Sequence, residues 1–194
     1  MSINIVKGQE IDLINNNSKL KQMVIGIGWS LAKKDNVDCL RNTTRIDLDS
    51  TVFILRNNKI KNNRDIIYFG NLFSRNNEVV HNENNVSDNE DKEEIIVYLD
   101  RFNKEINELI IGLSIYSCKT RKQDFNIVED IFIKVFDGYN HEEILKFKIL
   151  EMDRKKTAII LGKIYRKNNN WIFKAIGEGT LDNSIDVMAC QFRE

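Results

Sequence analysis

Asp47 and Asp49 lie two residues apart in a stretch that alternates polar and apolar residues. This alternation is typical of a strand with one buried face. It predicts that both aspartates share a face with Thr51, while Leu48 and Ser50 point the other way. Two carboxylates on one face of a strand are about 7 Å apart and repel each other, so we expect a cation close to them. A hard metal ion such as Ca²⁺ and a salt bridge to a neighbouring Lys or Arg both satisfy this expectation.

Further oxygen donors are concentrated in the most polar stretch of the sequence, residues 82–94. Such a stretch cannot contribute to a core and is predicted to be a loop, either a solvated acidic one or one that binds a metal. Its spacing is not that of an EF-hand, so a metal site would be assembled from loops at one end of the fold. The candidate calcium ligands are Asp47, Asp49, Asn71, Asn84, Asp88, Glu90, Glu93 and Glu94.

The sequence offers little for acid–base or nucleophilic catalysis. Its two histidines, His81 and His141, lie in no motif with a nearby nucleophile or metal ligand, and we interpret both as surface or turn residues. The motifs of serine hydrolases, phosphate-binding loops and dinucleotide-binding folds are absent. The sequence therefore predicts no catalytic residue, no organic cofactor and no enzymatic activity.

Short apolar or alternating runs recur along the chain and are separated by turns rich in Asn and Gly, which favours strands over helices. The tail, residues 181–194, is either a short helix or an added strand, and 102–109 holds one helical turn at most. The pattern predicts an all-β, two-layer β-sandwich with few short helices and a single domain over residues 1–194. The predicted strands are 3–13 (interrupted at 7–9), 23–29, 45–55, 66–69, 79–81, 95–100, 109–116, 130–136, 143–151, 157–166 and 171–176.

Composition restricts the class of partner. Lys and Arg number 29, as do Asp and Glu, so the formal net charge is +0. This balance predicts no nucleic-acid partner and is compatible with self-association. No apolar run reaches the ~20 residues of a transmembrane helix, and the first residues do not resemble a secretory signal. Cys39, Cys118 and Cys190 show neither a disulfide nor a zinc pattern, which favours the cytoplasm.

Several short motifs, in order along the chain, resemble those of one known family. They are Lys-Gly at 7–8, Gly-Ile-Gly-Trp at 26–29, Ile-Asp-Leu-Asp-Ser at 46–50, Gln-Asp-Phe at 123–125 and Trp-Ile-Phe-Lys-Ala-Ile-Gly-Glu-Gly at 171–179. The sequence is similar in these to the TerD-type tellurium-resistance and general-stress proteins of bacteria. The resemblance implies a cytoplasmic β-sandwich that binds calcium in acidic loops. It also implies that other stress and tellurite-resistance proteins are its partners.

The sequence departs from the family's motifs at positions that bear on calcium binding, because most of the changes remove an oxygen ligand or a charge. Arg45 adds a cation beside Asp47 and is able to form a fork with Asp47 or Asp49. Two hypotheses follow: a rewired calcium site, and a metal-free scaffold in which charges pair with one another. The departing residues are Ser30, Arg45, Gly70, Asn84, Tyr116 and Ser117.

Overall fold

Two six-stranded β-sheets build the fold. The computed structural model describes residues 2–14, 20–31, 46–82, 91–151 and 153–193. In chain order its strands are β1 (Ile3–Ile5), β2 (Glu10–Asp12), β3 (Gln22–Leu31), β4 (Leu48–Leu55), β5 (Ile66–Ile67), β6 (Val79–Asn82), β7 (Asp91–Tyr98), β8 (Glu108–Ile115), β9 (Val128–Asp137), β10 (Glu143–Lys148), β11 (Ala158–Lys167) and β12 (Asn170–Thr180).

The strand order is β1-β10-β9-β3-β7-β6 in the first sheet and β2-β12-β11-β8-β4-β5 in the second. Neighbouring strands are antiparallel except for β1 and β10, which are parallel. Apolar side chains from both sheets meet in one large core cluster. The prediction of an all-β, two-layer sandwich is confirmed.

Helical structure is short and follows the strands. Helix α1 (Cys118–Arg121) comes after β8, and helix α2 (Ile185–Cys190) comes after β12. The side chain of Ser184 accepts a hydrogen bond from the Val187 N–H at the start of α2, as expected of an N-cap. The tail is therefore a helix rather than an added strand. None of the helices in the described residues is long and apolar enough to cross a membrane.

Strand β4 is buried on both faces, whereas the alternation at 47–51 predicted only one buried face. Leu48 and Val52 face the core between the sheets. On the opposite face Phe53 packs in a second apolar cluster that includes Met188 and Ala189 of α2, and Thr51 is also fully buried. The alternation is confirmed for residues 46–50, where Asp47 is exposed and Asp49 half-buried. It was wrong from Thr51 onward, because the weakly patterned tail folds into α2 and covers this part of the sheet.

Asparagine makes the tight turns of the chain. Asn168 and Asn169 connect β11 to β12 as a two-residue loop, and both have φ values in the left-handed region, 52° and 66°. Asn57 and Asn58, after β4, have φ values of 53° and 62°. Asn tolerates this region better than most residues other than Gly, so these turns form without glycine, as the sequence predicted.

Part of the acidic stretch is strand rather than loop. The sequence predicted a loop as far as Glu94, yet β7 begins at Asp91, and Glu93 and Glu94 lie opposite Ile27 and Gly26 of β3. Strands on both sides of β7 pair with its backbone. This pairing holds the acidic residues in an extended conformation despite their low strand propensity.

Candidate cation site

The two aspartates of the 46–50 motif lie where β4 begins. Asp47 precedes the strand and is exposed, and its carbonyl oxygen accepts a hydrogen bond from the backbone N–H of Tyr116 at 2.8 Å. Asp49 is half-buried and lies opposite Ser114 of β8. Backbone pairing with β8 therefore fixes the positions from which both side chains extend.

Asp49 carries a charge that its surroundings disfavour. The pKa of its carboxyl is raised to about 6, mainly by burial and also by the nearby carboxylates of Asp47 and Glu93, against smaller opposing effects of His81 and Arg121. Among the described residues, none forms a hydrogen bond or salt bridge with the Asp49 side chain. At neutral pH the region around Asp49 therefore favours a bound cation.

A buried polar cluster links the two sheets beside Asp49. Ser50 of β4 is fully buried, and its Oγ donates a hydrogen bond to Glu93 Oε2 at 3.0 Å. His81 Nε2 lies 2.9 Å from the same Oγ and 3.1 Å from Glu93 Oε2. We assign the proton of a neutral His81 to Nε2, because Nδ1 is buried without a hydrogen-bond partner among the described residues and a buried N–H without an acceptor is costly.

The Ser50–His81–Glu93 cluster does not have the geometry of a catalytic triad. In a triad the serine and the carboxylate bind different nitrogens of the imidazole, whereas here Nε2 contacts both. Ser50 is also closed to solvent. The cluster therefore connects the sheets and does not activate a nucleophile.

The interpretation of His81 as a surface or turn residue was wrong. His81 is only 5% exposed and lies on the inner side of β6. Two sequence signals pointed to a buried polar pair: His81 alternates with the buried Val79, and Ser50 alternates with Leu48 and Val52. His141 does lie in a turn, with φ of 57°.

The remaining predicted ligands among the described residues are hydrogen-bonded to other protein groups. Asn71 donates from Nδ2 to the Ile66 carbonyl at 2.6 Å, and Glu94 Oε1 accepts from Asn82 at 2.9 Å. Asn84, Asp88 and Glu90 lie outside the described residues. In the part of the chain that the structure describes, no three His, Cys, Asp or Glu side chains are placed to bind one metal ion.

Comparison with known proteins identifies the family of this chain. A family profile described as the TerD domain matches residues 1–192. This chain belongs to the TerD family. It is 35% identical over 192 residues to the stress response protein SCP2 of Bacillus subtilis, with 96% of each chain covered. Identity is 29% to the tellurium resistance protein TerD of Serratia marcescens, over 92% of this chain and 91% of that one.

A solved TerD homologue shares the fold. It is a homologue of telluride resistance protein TerD from Streptomyces coelicolor A3(2), and it superposes with a TM-score of 0.61 at 17% identity. The match covers 86% of this chain and 94% of the other. At this identity the likeness supports the β-sandwich alone, as the strand topology does.

Three of the positions that the sequence analysis interpreted as departures from the family's motifs have defined surroundings. Ser30 donates to Asp130 Oδ2 at 3.2 Å on the side of β3 towards β9. Gly70 leaves room for an aromatic ring, since a Cβ there would lie 2.7 Å from the ring of Tyr68. Ser117 has a φ of 52° and precedes α1. Arg45, the predicted partner of the aspartates, lies outside the described residues.

We expect Asp49→Asn to raise the free energy of unfolding of the metal-free protein at pH 7. The folded pKa of about 6 lies above the ordinary 3.8, so ionisation of Asp49 destabilises the folded state, and this cost disappears as pH falls from about 6 to about 4. A shift of this size corresponds to about 3 kcal/mol. Partial exposure reduces it, and we expect about 1.5 kcal/mol.

Urea denaturation in chelator at pH 7 and pH 4 measures this effect. The gain should be present at pH 7 and absent at pH 4. The control is Asp100→Asn, at an exposed position after β7, which should change the free energy of unfolding by less than about 0.5 kcal/mol. Equal stability of Asp49→Asn and the native protein at pH 7 would contradict an unfavourable buried charge.

Proposed function

We propose that this chain is a non-enzymatic, cytoplasmic TerD-family module that binds a cation and acts as a scaffold for other stress and tellurite-resistance proteins. The observation that carries this proposal is the half-buried carboxylate of Asp49. It lies near two further carboxylates and, among the described residues, has no hydrogen-bond or salt-bridge partner. A bound cation would remove the mutual repulsion of these groups.

Calcium is the cation we propose, and the donors present fit it in kind. Carboxylate and amide oxygens are the ligands that Ca²⁺ prefers, and Asp47, Asp49 and Asn71 offer them. Ca²⁺ takes six to eight oxygens, more than these residues supply. In this proposal the rest come from water and from the acidic segment 83–90.

A non-enzymatic role is supported by the arrangement of the polar cluster between the sheets. The serine with a neighbouring imidazole, Ser50, is closed to solvent. The imidazole of His81 contacts both Ser50 Oγ and Glu93 Oε2 through the same nitrogen, Nε2. Neither group is placed to reach a substrate.

The second candidate is a metal-free scaffold, and specific contacts favour it. Glu93 already accepts a hydrogen bond from Ser50 and contacts His81. Glu94 accepts a hydrogen bond from Asn82. Two of the predicted ligands thus have protein partners. Arg121 also supplies some positive charge, since it opposes the rise in the pKa of Asp49.

Calcium titration of chelator-treated protein, followed by calorimetry and thermal melting, separates the two candidates. At a calcium concentration 100 times the Kd, binding to the folded state stabilises it by about 2.7 kcal/mol. For a chain of this size that should raise Tm by about 5 °C or more. Unchanged melting at millimolar Ca²⁺ would exclude the calcium proposal and leave the metal-free scaffold.

The variant Asp47→Asn with Asp49→Asn localises the site. It should lower calcium affinity at least a hundredfold, because it removes both charged ligands of β4. Asp100→Asn with Glu105→Gln changes the net charge equally at exposed positions and should leave the affinity within about twofold. If the two double variants bind calcium equally well, the ion lies elsewhere in the chain.

A further inference from the structure

A cavity of about 360 Å³ opens beside Asp49, between the ends of β5 and β8 and the segment that begins α2. Its lining includes Asp49, Tyr68, Phe69, Tyr116, Ser117 and Asp186. This volume lies within the range of small-molecule sites. Of the described residues proposed above to bind calcium, Asp49 alone is in this lining.

Three aromatic rings form a continuous wall of this cavity. The centroids of Tyr68 and Phe69 lie 5.2 Å apart at an interplanar angle of 84°, and those of Phe69 and Tyr116 lie 6.1 Å apart at 81°. Phe69 and Tyr116 are 46% and 44% exposed. Together with Tyr68 these adjacent rings form a contiguous exposed apolar surface, which marks a binding site more often than a single exposed ring such as Tyr139 does.

Tyr116 and Gly70 shape this wall. Tyr116 supplies one of the rings. Gly70 provides the space for another, because a Cβ at that position would lie 2.7 Å from the Tyr68 ring.

The charges around the cavity favour a positive ligand. Asp49 is half-buried and has no hydrogen-bond or salt-bridge partner among the described residues. The cation in the lining, Arg193, is engaged with Asp186 at 3.7 Å and with Asn63 at 3.4 Å. Arg121 already lies 5.2 Å from the centroid of Tyr116, which shows that this ring accepts a cation.

We propose that the cavity binds an alkylammonium group, with Asp49 as its counter-ion and the rings of Phe69 and Tyr116 against its methyl or methylene groups. Aromatic faces attract organic ammonium ions and are used in this way in quaternary-ammonium sites. A metal ion gains little from such walls, because they offer few oxygen ligands. The ammonium and the proposed calcium ion share Asp49 and compete, but the ammonium site does not require calcium.

Isothermal titration of the full chain in chelator at pH 7 tests the proposal. The probes are choline, its neutral isostere 3,3-dimethylbutanol, and Nα-acetyl-lysine methylamide. We expect choline or the lysine derivative to bind with a Kd of about 1 mM or below, and the neutral alcohol to bind at least tenfold more weakly. A tighter choline complex indicates a small quaternary ammonium ligand, and a tighter lysine complex indicates the side chain of a partner protein.

Variants separate this site from the calcium site. Tyr116→Leu should weaken ammonium binding about tenfold and leave calcium affinity unchanged, whereas Asp47→Asn should act mainly on calcium. Tyr139→Leu removes an exposed ring between β9 and β10 and should change neither. Thermal melting checks that each variant is folded. The proposal is wrong if neither ammonium compound binds at 10 mM, if the neutral alcohol binds equally well, or if folded Tyr116→Leu binds like the native chain.

Discussion

Phe125→Ala should lower the free energy of unfolding by about 4 kcal/mol, the largest effect that we expect from a single substitution in this chain. Phe125 is among the largest fully buried side chains and belongs to the core between the sheets. Truncating a buried Phe to Ala removes its apolar contacts and leaves a cavity, which costs 3–5 kcal/mol in comparable cases. Urea denaturation at pH 7 measures the loss.

The same substitution should also disturb the proposed ammonium cavity. Phe125 anchors the connection between β8 and β9, which carries Tyr116, Ser117 and Arg121. Its backbone N–H donates to the Lys156 carbonyl at 3.0 Å, so the side chain and the backbone both fix this connection. Phe73→Ala is the matched control, because Phe73 is 53% exposed and should lose less than about 1 kcal/mol. Similar losses for the two variants would contradict the anchoring role.

Glu78→Ala should lower the free energy of unfolding by about 3 kcal/mol. Glu78 is 2% exposed, and its carboxylate accepts hydrogen bonds from Ser74 Oγ at 2.5 Å, from the Asn76 backbone N–H at 3.0 Å and from Asn76 Nδ2 at 2.8 Å. Removing the acceptor leaves the buried Ser74 hydroxyl without this partner and breaks the two bonds that hold Asn76, and a buried donor without an acceptor costs more than the hydrogen bond contributes on balance. Chemical denaturation at pH 7 tests this value, and a loss below 1 kcal/mol would contradict it.

The stabilising effect of Glu78 should depend on pH. Burial alone would raise the pKa of its carboxyl, but the hydrogen bonds from Ser74, the backbone and Asn76 outweigh burial and hold the pKa below the ordinary 4.5. Because the folded pKa is the lower one, the contribution is complete above pH 4.5 and is lost as pH falls below it. Glu78→Gln should lack this acid-dependent component. Glu105→Ala, at an exposed position, should retain it and lose less than about 0.5 kcal/mol at pH 7.

The sequence predicted those parts of the fold that depend on neighbouring residues. Alternation and β-branched runs marked the long strands, and paired asparagines marked turns such as Asn168–Asn169. Phe125 stands out in the sequence as an apolar residue in the polar stretch 119–126, and the structure buries it in the core. These signals are local, so they can be interpreted from the sequence without knowing which strands pair.

What the sequence did not reveal depends on contacts between distant segments. The burial of Thr51 and Phe53 required α2, which comes more than 130 residues later and has little pattern of its own. The burial of His81 required β6 to face β4 across the core. The cavity beside Asp49 required three segments to meet. None of these contacts produces a periodic pattern of residues in the sequence.

The shortness of the outermost strands has a consequence for how copies of this chain meet. Within the described residues, the first sheet ends in β1 and β6, of three and four residues, and the second in β2 and β5, of three and two. Such short edge strands offer another chain too few unpaired backbone N–H and C=O groups to extend the sheet. The formal net charge is +0, so charge repulsion does not keep copies of the protein apart. The short edge strands nevertheless protect it from edge-to-edge stacking into fibres. If the chain assembles, it does so through side-chain surfaces.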